Sequence, residues 1–125
     1  MEQHLLIGVE ATHTHTYIFV GMTWDIDDEM SGFLGVQISN DGTEYSSFIG
    51  LERTIEGGLS FFFGVEISSG ESDIFVAVEY DEDHKGCFGG LYRSSIDLSY
   101  FMGLYITVPF SSDTTTESSA LSIGN

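Results

Sequence analysis

At 125 residues the chain is long enough for one domain with a hydrophobic core and too short for two. Its 42% hydrophobic content excludes a disordered chain, because disordered segments hold too little apolar surface to offset the entropy lost on folding. Twenty acidic residues against three basic ones give a formal net charge of −17. This balance disfavours nucleic-acid binding, since contacts to phosphate need lysine and arginine.

A five-residue phrase recurs along most of the chain: an aromatic residue, an apolar residue, glycine or alanine, an apolar residue and a polar residue. The first position is Phe in seven copies and Leu6 in one, and the third is Gly in seven copies and Ala77 in one. Such repetition predicts a repeated structural unit. Successive copies start 13 to 15 residues apart, and the eight copies are 6–10, 19–23, 33–37, 48–52, 62–66, 75–79, 88–92 and 101–105.

Each copy lies in a run rich in Val, Ile, Phe and Tyr, and polar segments with turn residues separate the runs. No segment shows a sustained helical period, and strands joined by such short segments must run antiparallel. The sequence therefore predicts an all-β fold, an eight-stranded antiparallel up-and-down meander built from four hairpin repeats. The meander is expected to close as a barrel or to fold over as a sandwich, followed by a C-terminal tail or arm.

The period of two along a strand divides the phrase between two faces. Positions two and four are almost uniformly aliphatic, as in Ile7 and Val9 or Val20 and Met22, and we expect this face to form the hydrophobic core. Positions one, three and five put Phe, Gly and a polar residue on the other face. Glycine weakens a strand interior, so its recurrence indicates either tight curvature with Phe packed over Gly, or close approach by another subunit or a ligand.

The repeat stops after Pro109, and a Ser- and Thr-rich segment follows. We therefore divide the chain into a β-meander domain, residues 1–110, and a C-terminal arm, residues 111–125. The arm is expected to be ordered against a neighbouring subunit, with Leu121 and Ile123 among its anchors. Because exposed apolar surface usually marks an interface, the predicted interface consists of Phe19, Phe33, Phe48, Phe62, Phe75, Phe88, Phe101, Leu121 and Ile123.

The chain shows no apolar run long enough for a membrane helix and no basic start with a cleavage site in its first residues. We therefore expect a soluble protein without a membrane span that is not exported by a cleaved signal. The single cysteine, Cys87, cannot form an internal disulfide and is expected to be a small buried apolar residue rather than a nucleophile. The scarcity of Lys and Arg suggests a halophilic source, because molar salt screens the repulsion between carboxylates.

Catalytic motifs are absent from the sequence: it holds no phosphate-binding glycine loop, no GxSxG and no CxxC. We therefore expect no enzyme and no cofactor. Two acidic turns supply candidate calcium ligands, although their spacing equally fits solvated hairpin tips. His13 and His15 alternate and could hold a transition metal, or lie in an exposed turn. The calcium candidates are Asp25, Asp27, Asp28, Asp81 and Asp83.

Without a catalytic motif, the leading hypothesis is a non-enzymatic structural protein acting as a homo-oligomer with other assembly proteins. We expect a virion component of a halophilic archaeal virus, such as a capsid, capsid-decoration or tail protein, located in the virion or in the cytoplasm of a halophilic host. The alternative is a small β-barrel module that binds a ligand or a carbohydrate.

Overall fold

The structure of the protein is a computed structural model that describes residues 3–93 and 98–110. Within these residues the chain forms eight strands and no helix. The strands are β1 (Gln3–Thr12), β2 (Thr16–Asp25), β3 (Met30–Ser39), β4 (Tyr45–Glu56), β5 (Leu59–Ser68), β6 (Glu71–Glu82), β7 (Lys85–Arg93) and β8 (Leu98–Phe110).

The eight strands form one closed barrel in which every strand pairs antiparallel with its neighbours in the chain. The barrel closes between the first and last strands, where Ile7 pairs with Ile106 and Gln3 with Phe110. The predicted all-β meander is therefore confirmed, and of the two expected closures the barrel is the one that forms. Closure pairs the backbone groups that an open sheet would leave at its edges.

Short turns join the strands at both ends of the barrel. The terminal end contains the first residues of β1, the last residues of β8 and the turns 26–29, 57–58 and 83–84, and the opposite end contains the turns 13–15, 40–44 and 69–70. Gly42, Gly57 and Gly70 have positive φ angles, which glycine adopts without steric cost in tight hairpin turns. Asp83 and His84 also have positive φ, at 55° and 66°.

The turn between β3 and β4 is organised by Asp41. Ser39 Oγ donates a hydrogen bond of 2.7 Å to Asp41 Oδ1, and Thr43 donates to the same oxygen from its backbone nitrogen and its hydroxyl. These hydrogen bonds stabilise the charged form of the Asp41 carboxyl and therefore hold its pKa below its usual range. The bond from Ser39 has the largest effect.

The two faces of the strands are arranged opposite to the sequence interpretation, which is wrong on this point. The phenylalanines of the repeat point into the barrel, where Phe19 is 5% exposed and Phe101 is 6% exposed. The aliphatic positions point outward, where Leu104 is 61% exposed and Met102 is 62% exposed. The seven phenylalanines predicted to form an interface thus lie inside the barrel and not on its outer surface.

The physical reason is that a period of two separates two faces without saying which of them is inside. The prediction placed the aliphatic face inside because aliphatic side chains are usually buried. The prediction that Cys87 is buried is wrong for the same reason. Cys87 lies on the outer face of β7 and is exposed. Residues 111–125, with the predicted anchors Leu121 and Ile123, lie outside the described residues.

Candidate functional site: the barrel lumen

The middle of the lumen is filled by a continuous group of rings, which we call the phenylalanine cluster. Its members are linked by ring contacts with centroid separations of 5.5 to 6.3 Å, many of them edge to face, the arrangement that aromatic pairs favour. Phe33 contacts three other members, and so do Phe62, Phe75 and Phe88. The cluster consists of Phe19, Phe33, Phe48, Phe62, Phe75, Phe88 and Phe101.

Inward-facing glycines make room for these rings. A Cβ atom built on Gly35 would lie 2.5 Å from Phe48 Cζ, and one built on Gly64 would lie 2.7 Å from Phe75 Cζ. Phe33, Phe19 and Phe88 cover other inward glycines of the repeat in the same way. The predicted packing of Phe over Gly is therefore confirmed, and an eight-stranded lumen holds seven such rings only because the neighbouring positions carry no side chain.

Polar side chains occupy the lumen on the opposite-end side of the cluster. Ser46 Oγ donates a hydrogen bond of 2.9 Å to Glu66 Oε2, and Gln37 Nε2 donates one of 3.2 Å to the same oxygen. Glu10 faces the lumen at this level, close enough to Glu66 for the two carboxyl groups to interact electrostatically. Glu66 thus has two hydrogen-bond donors within the barrel, whereas burial above all, and then the nearby Glu66 carboxyl, raise the pKa of Glu10 to about 8.

A second polar group lies on the terminal-end side of the cluster. Tyr105 donates a hydrogen bond of 2.6 Å to Glu79 Oε2, and Glu79 is only 9% exposed. Glu52 is hydrogen-bonded to Glu79, and Ser60 is hydrogen-bonded to Glu52. Burial above all, and then the neighbouring Glu52 carboxyl, raise the pKa of Glu79 to about 9, so the Glu52–Glu79 pair retains a proton at neutral pH.

Among the described residues, Tyr105 is the one hydroxyl seen to donate to Glu79, and replacing it with Phe removes this donor. We expect Y105F to lower the free energy of unfolding by about 1–3 kcal/mol, because a buried acceptor loses its partner while the ring is kept. Urea titration followed by circular dichroism measures the change. Tyr80→Phe is the matched control, since Tyr80 lies on the outer face and is 51% exposed. An equal effect of the two changes would contradict the assigned role of Tyr105.

A cavity of about 310 Å³ occupies the lumen between these side chains. Most of its lining belongs to the terminal half, where it reaches the mouth at His4, Asp25, Asp81, His84 and Thr107. The rings of His4 and His84 lie 5.7 Å apart at this mouth. The cavity is therefore open to one end of the barrel more than to the other.

The structure places the five calcium candidates at the terminal end, but it brings only Asp25 and Asp81 to the lumen. Asp27 accepts hydrogen bonds from the backbone nitrogens of Glu29 and Met30 within its own turn. Across residues 3–93 and 98–110, no three His, Cys, Asp or Glu side chains are grouped so that they could hold a metal ion.

The two alternating histidines separate at the opposite end. His15 Nε2 lies 3.3 Å from Glu44 Oε2, and Tyr17 donates a hydrogen bond to Glu44 Oε1. His13 packs its ring edge to face against Tyr100. The structure thus gives each histidine a different neighbour.

Sequence reasoning missed the lumen as a site. It identified the phrase's fifth position as polar but placed that position on an outer face, so Glu10, Glu52, Glu66 and Glu79 were not selected. The available signal was the spacing of these carboxylates, each of which occupies the fifth position of the phrase, on the same face of its strand as the first and third positions.

Comparison with solved structures shows that the fold resembles that of a designed β-barrel. A solved chain described as "De novo design of transmembrane beta-barrels" superposes with a TM-score of 0.60 at 10% sequence identity, over 86% of this chain and 95% of that one. At this identity the likeness concerns the fold alone.

No protein family and no curated protein matches the sequence. Among the described residues there is no helix of the length and apolarity needed to cross a bilayer.

Proposed function

We propose that the protein is a membrane-spanning β-barrel whose outer face contacts lipid. The observation that carries this proposal is the composition of that face. Between the strand ends, the outward positions of the described strands carry no charged side chain and are almost all aliphatic or aromatic, as at Ile7, Val20, Val36, Val76 and Leu104. Soluble monomers rarely expose an apolar surface that is continuous around the whole molecule.

The length of the strands supports the proposal. The described strands contain 9 to 13 residues. Ten residues at about 3.3 Å per residue, tilted by about 40°, cover about 25 Å, which is the height of the apolar band of outer-membrane barrels. The strands are therefore long enough to cross the hydrocarbon region of a bilayer.

The side chains at the ends of the outer face also fit a bilayer. Tyr45 and Tyr100 lie outward near the opposite end, and Tyr80 and Trp24 lie outward near the terminal end. Tyrosine and tryptophan favour the boundary between lipid and water, where one part of the side chain is apolar and the other is hydrated.

All three basic residues of the chain, Arg53, Lys85 and Arg93, lie outward near strand ends. There their long side chains can extend to water and to lipid phosphates. Clustered carboxylates of the turns, such as Asp27 and Asp28, lie beyond the apolar band. The solved chain of similar fold is described as a transmembrane barrel, which agrees with this arrangement.

This proposal departs from the sequence expectation of a soluble protein without a membrane span. A virion or other assembly role, a homo-oligomer and a halophilic source stay predictions, and in an oligomer another protein instead of lipid would cover the outer face. The absence of an enzymatic activity and of a bound ion also stay predictions.

Refolding from urea tests the proposal. The chain is diluted into buffer containing dilauroylphosphatidylcholine vesicles, and in parallel into buffer with low or molar salt and no lipid. We expect the folded protein to float with the vesicles in a density gradient and to gain protection from protease, and the chain without lipid to aggregate. A stable, monodisperse species in lipid-free buffer that stays out of the vesicle fraction would contradict membrane insertion.

A further inference from the structure

The lumen cavity combines three features: volume, aromatic walls and carboxyl groups. Its volume of about 310 Å³, counted along the lumen from Glu10 and Glu66 to the terminal mouth, lies at the lower end of the range of small-molecule sites, and most of its lining belongs to the terminal half. Rings and carboxyl groups alternate around its wall, because Glu52 pairs across strands with Phe62, and Glu79 pairs with Phe88. Phe33 and Tyr105 complete the wall at this level.

The wall of the cavity holds carboxyl groups but no lysine or arginine. Arg53, Lys85 and Arg93 are the chain's only lysine and arginine residues, and all three lie on the outer face. Arg53 forms an ion pair with Glu29, at 3.0 Å, outside the lumen. A negatively charged ligand would therefore find no lysine or arginine to pair with in the lumen, whereas a cation would be attracted by every carboxyl group there that is ionised.

The aromatic rings of the wall favour one kind of cation over others. The face of an aromatic ring attracts a cation, and surrounding rings favour a cation whose charge is spread over apolar substituents. A small metal ion or an anion would gain little from Phe33, Phe62 and Phe88. An ammonium group with methyl substituents gains from the rings and from the carboxyl groups, and needs no hydrogen-bond partners of its own.

We propose that the terminal half of the lumen binds a small organic cation of the quaternary ammonium type. The ligand enters at the terminal mouth, which His4, Asp25, His84 and Thr107 line, and places its cationic group against the terminal-end side of the rings of Phe33, Phe62 and Phe88, beside the carboxyl groups of Glu52 and Glu79. This inference depends on the lumen alone, so it holds whether lipid or protein covers the outer face.

Choline and 3,3-dimethylbutan-1-ol are a suitable pair of probes, because they have nearly the same shape and differ in charge. Binding to the folded protein in detergent micelles is measured by saturation-transfer nuclear magnetic resonance with titration. We expect choline to bind at least tenfold more tightly than the neutral alcohol. Equal affinities, or no choline binding by protein whose circular dichroism shows it folded, would overturn the proposal.

Adjacent phenylalanines on β5 supply a matched pair of variants. Phe62 faces the lumen and Phe63 faces outward, where it is 45% exposed. F62L keeps an apolar side chain but removes the aromatic face, so choline should bind about 3- to 30-fold more weakly, whereas F63L should leave its affinity unchanged. If F62L does not fold, Phe88→Leu tests the same wall. Unchanged choline affinity in the folded lumen variant would overturn the proposal.

Discussion

If the barrel spans a bilayer as proposed, replacing Val20 with Arg should lower its free energy of unfolding there by about 2–4 kcal/mol, the cost of a cation at the midplane of a membrane barrel. Val20 is the fifth residue of β2, is 44% exposed on the outer face and pairs with Ile7 and Val36. The guanidinium at this depth has no partner in hydrocarbon. Urea titration of folding in lipid vesicles, followed by tryptophan fluorescence, measures the change.

Thr16→Arg is the control on the same strand and the same face. Thr16 begins β2 at the opposite end of the barrel and is exposed, so an arginine there can reach water, with an expected cost of about 0–1 kcal/mol. Equal costs at the two positions would contradict the placement of the bilayer. If protein instead covers the outer face, V20R should convert an oligomer into smaller species in lipid-free buffer, which light scattering detects.

Substituting Gly64 with Ala should destabilise the barrel by about 1–3 kcal/mol or more, because the added methyl group has no space. A Cβ on Gly64 would lie 2.8 Å from the Cα of Gly50 on the paired strand and 2.7 Å from Phe75 Cζ, and it would also meet the carbonyl oxygen of Ile49. Backbone atoms cannot rotate away as a side chain does. The strands β4 and β5 would therefore have to separate, which chemical denaturation measures as a lower midpoint.

Gly89→Ala is the matched control for this change. Gly89 lies on the outer face of β7, and the nearest atom to a Cβ there is the carbonyl oxygen of Phe101 at 3.8 Å, an ordinary contact distance. We expect an effect within about 0.5 kcal/mol, or a small gain, since alanine restricts the unfolded chain more than glycine does. A midpoint for G64A equal to that for G89A would refute the steric role of the inward glycines.

Strand number, pairing and turns were predictable from the sequence because they depend on local signals. The eightfold repeat, the turn residues between copies and the absence of helical periodicity determine an antiparallel meander whatever surrounds it. The packing of Phe over Gly was also predictable. Antiparallel pairing indicated a Phe opposite the polar position of the next strand, with the glycines in one band, and β4 and β5 pair in this way, as for Phe48 and Glu66. Between β3 and β4 the Phe lies directly opposite a glycine instead, as for Phe33 and Gly50.

The orientation of the sheet was not predictable by the same reasoning. Both faces of each strand are apolar, and the rule that the more aliphatic face is buried holds only when water surrounds the molecule. The inward face carries Phe with Glu and Gln, and its glycines reveal crowding that an outer face would not impose. The lumen site depends on this orientation, so Glu52 and Glu79 could not be brought together before the barrel was seen.

The pairing of Gln3 with Phe110 has a consequence for the order of the chain. Because β1 and β8 are neighbours, the barrel is a ring of eight equivalent positions, and the peptide links between strands are short turns at its rims. A chain joined by a short link between Gln3 and Phe110 and opened at the turn 57–58 would keep all eight pairings. The strand arrangement is thus cyclic: the folded barrel itself does not determine which strand comes first in the chain.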